Sequence, residues 1–464
     1  MAAKRLKPLD ASWLMVDTRD TPMHVASLTI YSLPDDAGDS FVSDLVGRLR
    51  ESRTFVPPFN QKLAASPLKN VLPAWVEDHK VDIDYHLRHS ALPKPGGERE
   101  LGVLVSRLHS NQMDFNRPLW ECHVIEGLAN DRFALYVKMH HSLVDGVGGM
   151  RLLQKMMSSD PAERDLPPPW AFRGGEEKER RPRIPALEAL KRSFSQQAES
   201  VPGLAKAFRD LAKAYWERPK DEALPFIAPR SVLNNKVSGQ RRIATQHYEL
   251  ERIRRIAKAL DATVNDVFLA MCAGGLRRYL EEIQALPDKP LTAGIPVSVR
   301  PQGGEDAGNA ISFIVATLAT HIADPLERLA AIRESTQVAK HKLQELPKIG
   351  INNYTMILMA PYILQMLTGL GGRSRPMFNV TISNVPGPST PMYFNGARME
   401  QMYPVSLLSH GQALNITVLS YNGQFNVGFT GCRDALPHMQ RLSVYTGEAL
   451  LELEALSKKR KKAA

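Results

Sequence analysis

The order of apolar patterns along the chain predicts a mixed α/β (α+β) fold made of two halves of similar make-up. Three observations carry that expectation. Up to about residue 170, short strand-like runs alternate with helical ones. The stretch from Pro161 to Pro185 then breaks the alternation, holding Pro167, Pro168, Pro169, Gly174 and Gly175 before the charged run Glu176 to Arg183, the composition of a mobile linker. A second α/β stretch opens at about Ala228. At 464 residues the chain is long enough for more than one core, divided as residues 1–170, a charged linker and connecting helix over 171–227, and residues 228–464. No residue-level repeat joins the halves, so any symmetry between them lies in fold and not in sequence.

Taken in order, Val25 to Leu33 reads as a strand, and Phe41 to Arg53 and Leu101 to Gln112 read as helices. Asp131 to Met139 alternates, with Phe133, Leu135, Val137 and Met139 on one face and Ala134, Tyr136 and Lys138 on the other. Ala186 to Glu217 carries apolar residues at helical spacing, broken once at Pro202. Thr263 is suited to cap a helix whose apolar face is Val264, Val267, Phe268, Met271 and Leu280, with Asp266 able to complete a capping box. Strands are expected at Arg242 to Leu250, Leu291 to Val299, Ile311 to Thr320, Phe378 to Ser383, Asn415 to Tyr421 and Gln424 to Thr430. After Ile382, two prolines around one glycine in Ser383 to Pro388 predict a stiff turn that ends its ladder. A last helix, Thr446 to Leu456, runs into Lys458-Lys459-Arg460-Lys461-Lys462, either a solvated tail or a contact for an anionic lipid surface.

Composition bounds the function. With 59 Lys+Arg against 49 Asp+Glu, 43% apolar and 23% charged residues, a disordered chain, a fibre and a disulfide scaffold are excluded. Cys122, Cys272 and Cys432 stand far apart with no CxxC or CxxH spacing, which fits a reducing compartment and gives no zinc or redox pair. Met1 to Lys7 leads straight into Asp10, Asp17 and Asp20, unlike a secretory signal. The apolar run Tyr354 to Leu370 is too short and too interrupted to span a bilayer. Its Met356, Met359 and Met366 suit the lining of a long-chain lipid pocket or a surface dipping into a membrane; the alternative is a buried core helix. There is no Walker-type or GxGxxG phosphate loop, and no nucleic-acid partner is expected.

The chemistry-bearing segment is the end of the alternating strand at His140-His141. If the alternation persists, the two rings face opposite ways, so only one looks into a given cavity. Asp145 and Gly146-Val147-Gly148-Gly149 follow, then a helical pattern through Met150, Leu152, Leu153 and Met156. The glycines suit a tight loop that holds an imidazole at a strand end. A satisfied histidine pair with Asp145 capping the helix, or a two-histidine metal site, are the alternatives, although adjacent histidines diverge too far to share a metal easily.

His140-His141-Ser142-Leu143-Val144-Asp145-Gly146 resembles the HHxxxDG signature of the CoA-dependent acyltransferase superfamily, which includes chloramphenicol acetyltransferase, condensation domains and the bacterial wax ester synthase/diacylglycerol acyltransferases. Five more segments are similar to motifs of that last family, in its usual order: Pro22-Met23-His24-Val25, Pro57-Pro58-Phe59-Asn60, Pro118-Leu119-Trp120, Asn265-Asp266 and Ser383-Asn384-Val385-Pro386-Gly387-Pro388. The six together cover nearly the whole chain and are far more specific than any one. The long charged linker around Glu176 and the basic end depart from the family pattern.

The resemblance implies two chloramphenicol-acetyltransferase-like domains, each a mixed sheet flanked by helices, with the active site in a channel between them. It implies transfer of a long-chain acyl group from acyl-CoA to a fatty alcohol or diacylglycerol, with no cofactor beyond the substrate. An alcohol is a poor nucleophile at neutral pH, so an imidazole must take its proton during attack. That role falls to His141, with His140 as the supporting ring and Asp145 fixing the loop beside Gly146. Arg300, in a segment resembling the one that supplies the family's arginine, is the partner expected for Asp145. Asn265 faces the developing oxyanion, with Asp266 supporting the helix start or serving only as its cap. Asn384, Pro386, Gly387, Met356 and Met359 line the channel, while Trp120 supports the site by packing. Arg241 and Arg242 are either contacts for CoA phosphates or a solvated charge pair.

No serine or cysteine stands in a nucleophile motif, since Ser409 has Leu407 where a GxSxG elbow needs glycine, so direct transfer is expected. The location implied is cytoplasmic, at the inner membrane face or on lipid inclusions, with oligomeric state left open. Two alternatives remain: a non-catalytic protein coating lipid droplets, and an amide-forming condensation enzyme, which no adjoining carrier domain supports.

Overall fold

A computed structural model describes residues 4–6, 8–64, 73–144, 146–172, 227–298, 311–344, 365–366 and 368–463. The described elements run β1 (Lys4–Arg5), α1 (Pro8–Val16), β2 (His24–Ser32), α2 (Phe41–Glu51), β3 (Gln61–Leu63), β4 (Ala74–Glu77), α3 (Ile83–His86), β5 (Leu87–Ala91), α4 (Glu98–Ser110), β6 (Trp120–Leu128), β7 (Arg132–His140) and α5 (Gly146–Lys155). The second half continues with β8 (Arg241–Glu249), α6 (Leu250–Ala259), α7 (Val264–Glu282), β9 (Thr292–Ser298), β10 (Ile311–Thr317), α8 (Pro325–Gln344), β11 (Val380–Pro386), β12 (Tyr393–Phe394), β13 (Ala397–Val405), β14 (Leu414–Tyr421), β15 (Gln424–Cys432) and α9 (Arg441–Ala463).

Two mixed six-stranded sheets organise the molecule, in the orders β12-β13-β2-β7-β6-β5 and β10-β9-β11-β14-β15-β8, beside a small β1-β4-β3 sheet. In the first large sheet only β5 and β6 pair in parallel. In the second, β11 is parallel to both of its neighbours. The first sheet is completed from far along the chain, because β13 pairs with β2, Val405 opposite Ala26. The halves are tied again where Arg241 and Ile243 of β8 donate main-chain N–H groups to Ser110 Oγ (2.9 Å) and Ser106 Oγ (3.1 Å) of α4.

Each half has its own apolar core. In the second, α7 is buried through Val267, Phe268, Leu269, Ala270 and Met271, the signature of a helix enclosed all round rather than on one face. Its contact with α9 is close enough that a Cβ on Gly275 would lie 2.6 Å from Thr446 Oγ1, so glycine sets that crossing. No single helix among the described residues is long and apolar enough to cross a membrane.

Three sequence expectations are corrected. The ladder of β11 does not stop at Ile382 but runs through Pro386, which pairs with Ser420 of β14. Beyond Thr381 the strand has lost its β9 neighbour, so a proline without an N–H costs no bond on that side. Residues 161–172 are not a free linker, since Trp170 is fully buried, stacks on Trp120 at 5.3 Å, and accepts the Val56 N–H through its carbonyl (2.8 Å). Gly148 and Gly149 lie within α5 rather than in a positive-φ loop. The helix expected over 186–217 falls outside the described residues.

Candidate active site

The site begins where β7 runs out of partners. His140 is its last residue, opposite His24 of β2, and the chain then turns. The turn is gripped through main-chain bonds from two sides: His140 N–H donates to Leu119 O (3.0 Å) and His141 N–H to Met23 O (2.8 Å). Two motif segments, Pro22-Met23-His24-Val25 and Pro118-Leu119-Trp120, thus supply the carbonyls that fix the histidines. Leu143 N–H closes the turn on His140 O (2.9 Å).

The rings have different surroundings. His140 is 1% exposed. Its Nδ1 accepts the Ser142 main-chain N–H (3.1 Å) and lies 2.7 Å from Ser142 Oγ. A neutral ring whose Nδ1 accepts must carry its proton on Nε2, and Nε2 lies 3.3 Å from Asp17 Oδ2. Phe115 approaches the ring at 5.8 Å in a T-shaped arrangement. His141 is only half-buried, and its ring centroid sits 4.4 Å from that of Trp13 of α1.

Below the turn the His140 face of the first sheet is polar and dry. Lys138, with no exposed surface, pairs with Glu121 Oε2 (3.0 Å) and donates to Leu108 O (3.2 Å) and Asn111 O (3.1 Å) at the end of α4. Burial opposes ionisation of Glu121, yet the His123 bond and Lys138 hold it at about 2. His24 Nε2–H donates to His109 O (2.9 Å), and His109 Nε2–H to Ser406 O (3.0 Å) of the second half. Burial pushes His109 down to about 3, and His24 well below its ordinary value.

The remaining residues singled out from sequence fall into three groups. Asp145, Arg300, Met356 and Met359 lie outside the described residues; Gly146 opens α5. Asp266 closes the capping box of α7: it accepts the Thr263 N–H (3.0 Å) and hydroxyl (2.7 Å) and, through Oδ1, the Thr336 hydroxyl (2.9 Å). Asn265 stands beside it, half-buried in the first turn. Trp120 points to the opposite sheet face from His140, donates Nε1–H to Phe59 O (2.8 Å) and stacks on His86 at 4.3 Å, as packing requires.

At the end of β11, Asn384 and Pro386 are exposed, and a Cβ on Gly387 would lie 2.4 Å from Ser420 O, so only glycine permits that approach. Arg241 is not a solvated charge: it is 3% exposed and donates to Asp20 O (2.8 Å) and Ser238 O, which ties it to structure.

Sequence reasoning missed Trp13 and Asp17. Asp17 entered only as an acidic residue unlike a signal peptide, because nothing local reveals that its partners are Gln112 and His140.

Comparison with known proteins gives the family. Residues 6–268 match the wax ester synthase/diacylglycerol acyltransferase catalytic domain, and residues 307–454 the WS/DGAT C-terminal domain. The O-acyltransferase WSD of Acinetobacter baylyi is 42% identical over 97% of each chain. A putative diacylglycerol O-acyltransferase of Mycobacterium tuberculosis is also 42% identical, over 98% of this chain and 97% of its own. The solved wax ester synthase/diacylglycerol acyltransferase of Marinobacter aquaeolei superposes with a TM-score of 0.80 at 39% identity, covering 98% of this chain and 100% of that one. The first condensation domain of a calcium-dependent antibiotic synthetase shares the fold alone, with a TM-score of 0.60 at 17% identity over 98% of this chain and 96% of its own. The chain is therefore an O-acyltransferase that belongs to the wax ester synthase/diacylglycerol acyltransferase family.

Proposed function

We propose that the protein transfers a long-chain acyl group from acyl-CoA to a fatty alcohol or to diacylglycerol, directly within a ternary complex, with His141 as general base. The observation that carries this reading is the histidine turn: one ring is buried and bonded, while its neighbour is half-open and held by its main chain at a strand end. His141 takes the hydroxyl proton as the oxygen attacks the thioester carbonyl carbon. The C–O bond forms, the C–S bond breaks, and the proton passes to the departing CoA thiolate. Asn265 and the first N–H groups of α7 meet the oxyanion, a type of contact commonly worth roughly 3–4 kcal/mol of barrier. Asp145 paired with Arg300 holds the loop after the turn, and Asn384, Pro386, Gly387, Met356 and Met359 line the channel. Thiol release from palmitoyl-CoA that needs both protein and hexadecanol, or both protein and diacylglycerol, tests the activity. His141→Ala abolishes transfer with native melting, whereas His140→Ala is milder; equal loss would mean that both rings serve the chemistry. A burst of CoA and a stable acyl adduct without alcohol would overturn direct transfer.

The protein works at an anionic membrane or lipid-inclusion surface on the cytoplasmic side. Support comes from α9, where Val444 and Leu451, seven residues apart on one helix face, are 54% and 56% exposed, and Lys458, Lys459 and Arg460 follow, all exposed. Each basic residue near such a surface contributes about 1 kcal/mol. Removing residues 458–464 weakens binding to anionic vesicles at low salt while short-chain substrates still turn over; unchanged binding would reduce the tail to a solvated end.

A further inference from the structure

We infer that Asp17 is a positioning residue for the histidine turn, setting the tautomer of His140 and, through Met23, the main-chain placement of His141; the inference rests on the general-base reading of His141. The Asp17 and His140 side chains are each 1% exposed and meet at 3.3 Å. A carboxylate is buried this far only when its lone pairs are occupied. Asp17 Oδ2 accepts the Met23 N–H at 2.6 Å, and Oδ1 accepts from Gln112 Nε2. Met23 is the same residue whose carbonyl accepts the His141 N–H. One side chain therefore faces one histidine and is a single residue, Met23, from the main chain of the other.

The loop that delivers Asp17 is itself braced. Thr18 and Thr21 exchange main-chain bonds (3.1 and 3.3 Å), and the Thr21 hydroxyl donates to Val16 O (3.2 Å) at the end of α1. Across the ring from Asp17, Ser142 N–H occupies Nδ1. The tautomer with a proton on Nδ1 would place two donors face to face, and the Asp17 carboxylate, 3.3 Å from Nε2 in a charge contact rather than an aligned hydrogen bond, favours a proton on Nε2. A ring fixed in this way keeps the peptide between His140 and His141 in one orientation, and that orientation aims the base.

Two variants separate charge from hydrogen bonding. Asp17→Asn keeps an acceptor for Met23 and removes the charge. Its kcat falls about 10-fold, the difference between a charged and a neutral acceptor. Asp17→Ala removes both, and kcat falls about 100-fold, at the lower end of what general-base catalysis contributes. KM for palmitoyl-CoA and hexadecanol stays within about twofold in each, the pattern of lost transition-state alignment rather than lost binding.

Nitrogen NMR of histidine-labelled protein shows His140 as the Nε2–H tautomer in the wild type and a mixture in Asp17→Ala. A merely structural role would change melting without changing either the tautomer or the kcat of folded enzyme, and that result overturns the inference. His141→Ala is assayed alongside. If it stays active, the general-base reading fails; if it is inactive while Asp17→Asn and Asp17→Ala match the wild type in kcat, only the role of Asp17 fails.

Discussion

The two faces of the first large sheet are made from the same three strands and could hardly differ more. On one face Phe133, Leu135, Val137 and Met139 of β7 join Trp120, Cys122 and Val124 of β6 and Tyr31 of β2 in an apolar core, with α2 and α5 alongside. On the other, Ala134, Ile125 and Ile30 give way along the strands to Tyr136 and His123, then to Lys138 and Glu121, and finally to His140 beside His24. Residues two apart share a face, so one nine-residue strand builds a core and a polar gradient at once. The apolar face obtains its order from volume and the polar face from hydrogen bonds and ion pairs. The histidine turn lies at the end of the polar gradient, where a ring is held by partners and not by packing alone.

The largest expected effect breaks that pairing. Lys138→Met leaves Glu121 buried with its closest cation gone and takes a donor from Leu108 O and Asn111 O at the end of α4, at a cost of about 3–5 kcal/mol. Replacing Glu121 as well, by a second methionine, recovers the part of that loss that comes from the stranded charge, while Asn111 O and His123 Nε2 stay without their partners. On the apolar face Phe133→Ala costs a similar amount, about 3–5 kcal/mol, yet no second deletion restores it, since the missing quantity is volume. Chemical denaturation of the four proteins distinguishes the cases. A double variant as unstable as Lys138→Met would mean that the polar face, too, is held by packing.

Much of this contrast is legible in the sequence, and what is not has a physical reason. The period-two pattern of residues 131–139 and the strand at 25–33 need only local alternation, and both match β7 and β2 to within two residues. The histidine turn was visible as a motif, whereas its supports were not. Asp17 is 95 residues from Gln112 and further still from His140, so its burial depends on closure of the fold. β13 is not legible in the sequence because Ala397 to Val405 lacks clean alternation and finds its partner, β2, across most of the chain. Pro386 looked like the end of a ladder because sequence does not reveal which side of a strand has lost its neighbour.

A middle-sized effect tests the apolar face from a polar contact at its edge. Trp120→Phe deletes the indole N–H that meets Phe59 O at 2.8 Å, leaving a buried carbonyl unpaired at a cost of about 1–3 kcal/mol. Melting falls while the rate per folded molecule stays at the wild-type value, because the ring faces away from His140. A fall in kcat without a fall in melting would move Trp120 from packing into the reaction.

The smallest effect concerns pH, and it separates the faces by charge. His109 is held at about 3 by burial, with His24 displaced in the same direction, against an ordinary histidine value of 6.5. Their neutral forms therefore belong to the folded state and their protonated forms to the unfolded chain. The stability they contribute is fully present above pH 6.5 and is lost as pH falls from there toward the folded-state values. At pH 5.5, one unit below the unfolded value, His109 costs about 1.4 kcal/mol. His109→Gln should thus be less stable than the wild type at pH 7.5, having lost a fitted ring between Tyr136 OH and Ser406 O. Its stability should also fall less steeply toward pH 5.5, by about 1.4 kcal/mol. Val137→Ala on the apolar face lowers stability equally at both pH values, because no proton enters there. Parallel slopes for the wild type and His109→Gln would show that the acid sensitivity arises elsewhere, and that the polar face is guarded by something other than its neutral histidines.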